Sequence, residues 1–376
     1  MKVMIVVTHL LGTGHLSRAL TIANAFKAAG HNATVVSGGT PAPQLSSTGL
    51  NLLQLPSLRS DGVNFTRLLT EEGDEAGQDT MSARAQMLER ALSDIQPDVL
   101  ITELFPFGRR VLATEFRHLL DLACKLPMPP LICASIRDIL APPSKPAKAQ
   151  ATENMITTYY DAVLVHSDPE VTPLEISWPV TRRLAPLLHY TGFVAPPIPE
   201  SKRQRSNTVL ISAGGGDVGA ELFCAALTAA TLDPMRRWHL LVGGRQAREN
   251  VSDLQARAPA NVVVEPARPD FRELLKTACA SVSMAGYNTA LDVLQTGTPA
   301  VLVPFDAGNE VEQTLRAQAL AKLPGISVLT NADLTGAALL EHVRKVTRAI
   351  PRLPQTKGMD GAAKTVGIVE ALKHER

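Results

Sequence analysis

Residues 8–18 read THLLGTGHLSR. Before them stands MKVMIVV (1–7), an apolar, β-branched run of the kind that forms a buried strand in a parallel sheet. After them, Leu16 to Ala29 carries apolar residues at helical spacing and stops at Gly30. A glycine-rich turn from strand to helix is where an α/β sheet cradles a phosphate. This turn departs from a dinucleotide loop. Gly12 and Gly14 are present, but Ser17 stands where a third glycine is needed. The second strand, NATVVSGG (32–39), ends in Gly38-Gly39 without the acid that binds a ribose. Hydride transfer is thereby disfavoured. His15 occupies the first turn of the helix, where an imidazole of ordinary pKa about 6.5 suits a base or a hydrogen-bond donor. Its plain alternative is capping or packing at a helix start.

Working outward, strands and helices alternate. Residues 81–95 read as a helix, DVLITEL (98–104) as a strand, Arg109 to Lys125 as a helix, and PPLICASI (129–136) and AVLVHS (162–167) as strands. Residues 56–80 are polar and weakly periodic, and read as an excursion or a mobile loop. The proline- and charge-rich stretch 197–207 reads as a linker. The pattern then restarts with TVLISAGGGDVG (208–219), a strand entering a second glycine loop. The expected organisation is two doubly wound domains, 1–196 and 208–345. A helical segment, 346–376, is expected to pack back toward the first. Ligands of such sheets sit beyond the carboxyl ends of the strands, so the motifs are expected to face an interdomain cleft.

Composition excludes several classes. A net charge of +1 and 4% aromatic residues argue against a nucleic-acid partner. Cys124, Cys133, Cys224 and Cys279 form no C-x-x-C pair and read as buried thiols in a reducing compartment. With no leader pattern and no apolar run long enough to span a bilayer, the expected location is cytoplasmic. The stretch 104–125 mixes apolar residues with Arg109, Arg110, Arg117 and Lys125. It is either a helix for peripheral contact with anionic lipid or an ordinary amphipathic surface helix.

Five motifs carry the chemistry. In AGGGD (213–217), the N–H groups of Gly214, Gly215 and Gly216 suit a diphosphate, while Asp217 can cap the helix. SMAGYNTALD (283–292) is a small-residue turn opening a helix, with Ala285, Gly286, Tyr287, Asn288 and Thr289 at its mouth. Asp292, further along, suits a ribose diol; otherwise it is a solvated helix acid. In PFDAGNEVEQ (304–313), Glu312 and Gln313 either bind sugar hydroxyls or form a polar first turn. TELFPFGRR (102–110) and SIRD (135–138) place Glu103, Arg137 and Asp138 at strand ends. Asp138 is a second candidate base; paired with Arg137 it is a local ion pair of little consequence. The sequence has no P-loop, no G-x-S-x-G, and no D-x-D pair to hold a metal against a nucleotide diphosphate.

Together these motifs resemble the GT-B glycosyltransferases of the MurG type. GTGH (12–15) stands where that family has its first glycine loop, and YTGFV (190–194) resembles its TGNPV stretch. ISAGGGDVGA (211–220) resembles the second glycine loop, and residues 282–313 the donor signature. On this match Asp292 replaces the family's ribose-binding glutamate and is one methylene shorter. Glu312-Gln313 stands where the family has a glutamine pair touching the donor sugar. RDIL (137–140) instead resembles a branch of predicted glycosyltransferases with RDIL and GGYNT-like signatures. The resemblance implies an inverting, metal-independent glycosyltransferase with no cofactor beyond its UDP-sugar. It would move N-acetylglucosamine or another hexose to a hydroxyl acceptor, lipid- or polysaccharide-linked. His15 or Asp138 would act as base, with Gly12, Thr13, Gly14, Glu103 and Arg137 on the acceptor side. The rivals are a UDP-sugar 2-epimerase of the same architecture and a non-catalytic nucleotide-sugar-binding protein.

Overall fold

The computed structural model describes residues 1–43, 45, 47–60, 67–198, 205–214, 218–244, 246–306 and 311–376. The chain divides into two units, Met1–Pro196 with Lys357–Arg376, and Pro197–Thr356.

The first unit runs β1 (Lys2–Val7), α1 (Gly14–Ala28), β2 (Asn32–Ser37), β3 (Asn51–Gln54), α2 (Gln78–Ile95), β4 (Val99–Glu103), α3 (Ala113–Ala123), β5 (Leu131–Arg137), α4 (Pro146–Tyr159), β6 (Ala162–His166) and β7 (Leu188–Tyr190). Its strands form one parallel sheet in the order β3-β2-β1-β4-β5-β6-β7. Strand periodicity of two divides β1 between two cores. Met4 and Val6 pack with Leu88, Leu92, Phe116 and Leu120 from α2 and α3. Val3, Ile5 and Val7 pack with Leu16, Leu20 and Phe26 from α1. Such double burial is why the strand reads as a continuous apolar run.

The second unit runs β8 (Thr208–Ser212), α5 (Ala220–Leu232), β9 (Arg237–Val242), α6 (Ala247–Ala256), β10 (Val262–Pro266), α7 (Phe271–Thr277), β11 (Ala280–Ser283), α8 (Tyr287–Thr296), β12 (Ala300–Leu302), α9 (Glu312–Leu320), β13 (Ile326–Val328) and α10 (Gly336–Arg348). Its sheet is parallel, in the order β10-β9-β8-β11-β12-β13. One face is covered by α5 and α10, whose Leu222, Ala226, Leu339 and Val343 meet Val209, Ile211 and Val282.

Three features differ from the sequence expectation. The return to the first unit begins at Lys357, not at 346, and α11 (Gly361–Glu375) sets Val366 and Val369 into the core beside α1. Residues 56–80 are anchored where described: Leu58, Leu68 and Leu69 are buried, and Leu69 bridges to Arg59 and Glu75. Of the cysteines only Cys133 is buried; Cys124 and Cys224 are exposed, and Cys279 is half-buried.

Candidate functional site

In the first sheet, β2 lies on one side of β1 and β4 on the other. Loops leaving neighbouring strands at such a switch point diverge and open a crevice beyond the carboxyl ends. Residues 8–13 leave β1 there, and Glu103 ends β4 there. Gly12 has open space where a Cβ would stand. Thr13 precedes α1 without capping it by its side chain. His15, in the first turn, is turned onto Glu103: its Nδ1 lies 2.8 Å from Glu103 Oε1.

Glu103 is nearly fully buried, and three side chains donate to it. His15 and the Arg18 guanidinium converge on Oε1, and Ser135 Oγ donates to Oε2 at 2.5 Å. Burial alone would raise this carboxyl. The charge of Arg18 and the donors around it hold it well below the usual carboxylate range instead. His15 is lowered to about 3, by burial first and against the opposing pull of Glu103. At neutral pH the group is therefore a neutral imidazole beside a carboxylate. Arg18 Nη2 lies 3.1 Å from Nδ1 but gives its proton to Glu103, and because a carboxylate only accepts, Nδ1 carries the proton and Nε2 keeps its lone pair. Glu103, placed among the acceptor contacts by the sequence reading, stands behind His15 with both oxygens engaged by the protein.

Asp138 follows β5 and is 4% exposed; its Oδ1 accepts from the Ile139 N–H at 2.7 Å. Arg137 is the last residue of β5, paired in register with His166 of β6. The sequence reading did not single out Arg18 or His166. His166 is brought behind Glu103, by way of Ser135, through the parallel register of β4, β5 and β6, while Arg18 reaches Glu103 from α1. His9 was also passed over. It is buried and lowered to about 4, chiefly by that burial and against the opposing pull of the Thr40 backbone. Most apolar residues of 104–125 lie inward, Phe116, Leu119, Leu120 and Ala123 of α3 in the core, while Val111 is exposed.

The second unit gathers the other motif residues. Gly214 has φ +83° with open space around a notional Cβ, a conformation and an approach that suit glycine. Gly215, Gly216 and Asp217 lie outside the described residues. Gly219 (φ +101°) leads into α5, and a Cβ there would collide with Ala213 Cβ. Gly286 precedes α8 and also faces open space, leaving the N–H groups of Tyr287, Asn288 and Thr289 at the first turn. Arg316 of α9 fastens this mouth, with Nη1 donating to Ala285 O at 3.0 Å and the guanidinium 6.0 Å from the Tyr287 ring centre. Gln313 Oε1 accepts from the Phe305 N–H at 3.1 Å, and Glu312 is buried in the same first turn.

Asp292 is 8% exposed, and Arg272 Nε donates to its Oδ1 at 2.7 Å. The same guanidinium donates to Gln295 Oε1. Burial raises the Asp292 carboxyl to about 6 although Arg272 opposes it. Arg272 carried no sequence signal; it comes from α7 and meets α8 only in the fold. Among the described residues no group of three His, Cys, Asp or Glu side chains could hold a metal ion. No described helix is long and apolar enough to cross a membrane.

Comparison with known proteins follows the same division. Residues 210–371 match the glycosyltransferase family 28 C-terminal domain. The chain is 31% identical over 165 residues to a UDP-N-acetylglucosamine--N-acetylmuramyl-(pentapeptide) pyrophosphoryl-undecaprenol N-acetylglucosamine transferase of Brucella melitensis, covering 42% of each chain. A Brucella canis protein of that name is 29% identical over 164 residues, again 42% of each. The chain thus spans under half the length of these curated relatives. The fold resemblance is wider. MurG of Acinetobacter baumannii superposes with a TM-score of 0.57 at 17% identity over 100% of both chains. A UDP-glucosyltransferase from Polygonum tinctorium superposes with a TM-score of 0.60 at 13% identity over 100% of this chain and 93% of its own. The two parallel-sheet units are those of the GT-B fold.

Proposed function

We propose that this chain, a GT-B fold with a glycosyltransferase family 28 C-terminal domain, is an inverting, metal-independent transferase. It moves a hexose from a UDP-sugar to a hydroxyl acceptor. The observation that carries this reading is the His15–Glu103 pair at the β1–β4 switch point. His15 Nε2 takes the acceptor's hydroxyl proton as that oxygen bonds to the anomeric carbon. The bond from that carbon to the UDP oxygen breaks, with inversion, and UDP leaves with the electron pair. Glu103 stabilises the imidazolium that forms and holds the ring in its tautomer. Asp138 is the weaker candidate, because it is more deeply buried and one oxygen is already held by Ile139.

The second unit holds the donor. N–H groups of Gly214 and of the first turn of α8 face the diphosphate and stabilise charge developing on UDP. Asp292, held at Oδ1 by Arg272, takes the ribose, and Glu312 and Gln313 take the sugar. The Brucella relatives favour N-acetylglucosamine as that sugar and a lipid-linked acceptor. A protein with such an acceptor would work in the cytoplasm at a membrane face, without cofactor.

The test begins with thermal shift in EDTA against UDP, GDP, dTDP, CMP and NAD. Binding to the folded state at 100 times Kd adds about 2.7 kcal/mol. UDP is expected to raise the midpoint without metal. UDP release from UDP-N-acetylglucosamine is then followed with saccharide and lipid-linked hydroxyl acceptors. His15→Ala is expected to lower turnover by about 100-fold or more while UDP still binds. Full turnover in the variant would remove His15 from the mechanism. Conversion of the sugar without acceptor would mark a 2-epimerase, and UDP binding without turnover a binding protein.

A further inference from the structure

Behind the His15–Glu103 pair lies a second line of polar groups. Ser135 Oγ, which donates to Glu103 Oε2, is also 2.9 Å from His166 Nε2. His166 Nδ1 is 2.8 Å from Thr191 Oγ1. Glu103, Ser135, His166 and Thr191 are all buried. Their protons can be placed from chemistry alone. A carboxylate has no proton to give, so Ser135 donates to it. The serine oxygen is then the acceptor toward His166, and Nε2 must carry the imidazole proton. Burial, with the charge of Arg18 beside it, lowers His166 to about 3 and leaves it neutral, so Nδ1 is an acceptor. Its donor is the Thr191 hydroxyl. That hydroxyl also lies 2.8 Å from Gly192 O, but giving its proton there would leave Nδ1 without a donor.

We propose that Ser135 and His166 are positioning residues that orient the Glu103 carboxylate and thereby hold His15 with its proton on Nδ1 and its lone pair on Nε2. The proposal rests on reading His15 as the base. No proton passes along the line; each bond only fixes the direction of the next. Arg18 neutralises Glu103 but binds the oxygen that His15 uses, so it cannot fix the tilt of the carboxylate by itself. Ser135 binds the other oxygen and supplies the second point. His166, in turn, removes the alternative in which the serine hydroxyl donates to the imidazole and leaves Oε2 bare.

The test reads the His15 tautomer directly. Two-bond proton–nitrogen spectra are recorded on the full chain labelled with ¹⁵N-histidine, with the His15 signals among the nine histidines assigned through His15→Gln. The wild type is expected to show His15 protonated at Nδ1. Ser135→Ala and His166→Leu are expected to give a mixed tautomer, and turnover falls by roughly 10- to 100-fold with KM for the UDP-sugar unchanged. His166→Gln keeps an N–H toward Ser135 and is expected to retain both properties. An unchanged His15 tautomer in Ser135→Ala overturns the proposal, as does a glutamine variant that behaves like leucine. If His166→Leu does not fold, Ser135→Ala removes a single oxygen and decides the question alone. Should the wild type transfer no sugar, the tautomer shift still tests the positioning, and only the proposed function falls.

Discussion

Arg84 shows what one buried charge does in this fold. Its side chain is fully buried in α2, where it donates to both oxygens of Glu115 at 2.7 and 2.8 Å. It also donates to Pro56 O at 2.6 Å and Gly38 O at 3.0 Å. It thus ties the turn after β2 and the chain beyond β3 to α2 and α3. Replacing it by methionine leaves Glu115 buried without its counter-charge, and Arg84→Met is expected to destabilise the first unit by about 3–5 kcal/mol. Urea unfolding followed at Trp178 measures this; a loss under about 1 kcal/mol would mean that the pair contributes little. Nothing in QDTMSARAQMLERAL marks Arg84 as buried, because an arginine on a polar helix reads as solvated. His15 and Glu103, in contrast, were legible: one follows a glycine loop and the other ends an apolar strand. Arg18, His166 and Arg272 were not, since their partners Glu103, Ser135 and Asp292 lie 85, 31 and 20 residues away and meet them only in the assembled sheets and helices.

At the scale of elements, legibility followed apolar periodicity. The strands buried on both faces were read close to their observed bounds. The β3 strand, NLLQ, was missed because four residues at a sheet edge carry no alternation. The α6 helix was missed because only Leu254 in ARENVSDLQA is buried. The α11 helix was read as a helix, but the return to the first unit was set too early, at 346, since α10 and the proline-rich stretch after it belong to the second unit. That helix completes the core face carrying Val3, Ile5 and Val7, and its Val369 is fully buried there. Val369→Ala deletes two methyls from a packed site and is expected to cost about 2 kcal/mol. The loss belongs to the first unit. Chemical unfolding should therefore shift the Trp178 signal and leave that of Trp238 in place; an equal shift of both would mean that α11 stabilises the units jointly.

At the scale of the whole molecule, the two units hold opposite kinds of buried acid–base group. The first holds His9 near 4 and both His15 and His166 near 3, all far below an ordinary imidazole near 6.5. Its unfolded chain takes up protons below pH 6.5 that the folded unit refuses. Stability is complete above that pH and is lost as the pH falls toward 4, by up to about 4 kcal/mol per pH unit for three groups. The second unit holds Asp292, raised from an ordinary 3.8 to about 6. Its contribution has the opposite sign: complete below about pH 4 and lost as the pH rises through 6, at most about 3 kcal/mol. The chain's two tryptophans fall one in each unit, Trp178 and Trp238, so Trp238→Phe and Trp178→Phe give separate reporters. Between pH 6.5 and 4.5 the unfolding midpoint is expected to fall at Trp178 and to rise at Trp238. His166→Gln should shallow the first slope, and Asp292→Asn should flatten the second. A common shift at both tryptophans would show that the units unfold as one cooperative body and that their buried charges are not resolved by unit.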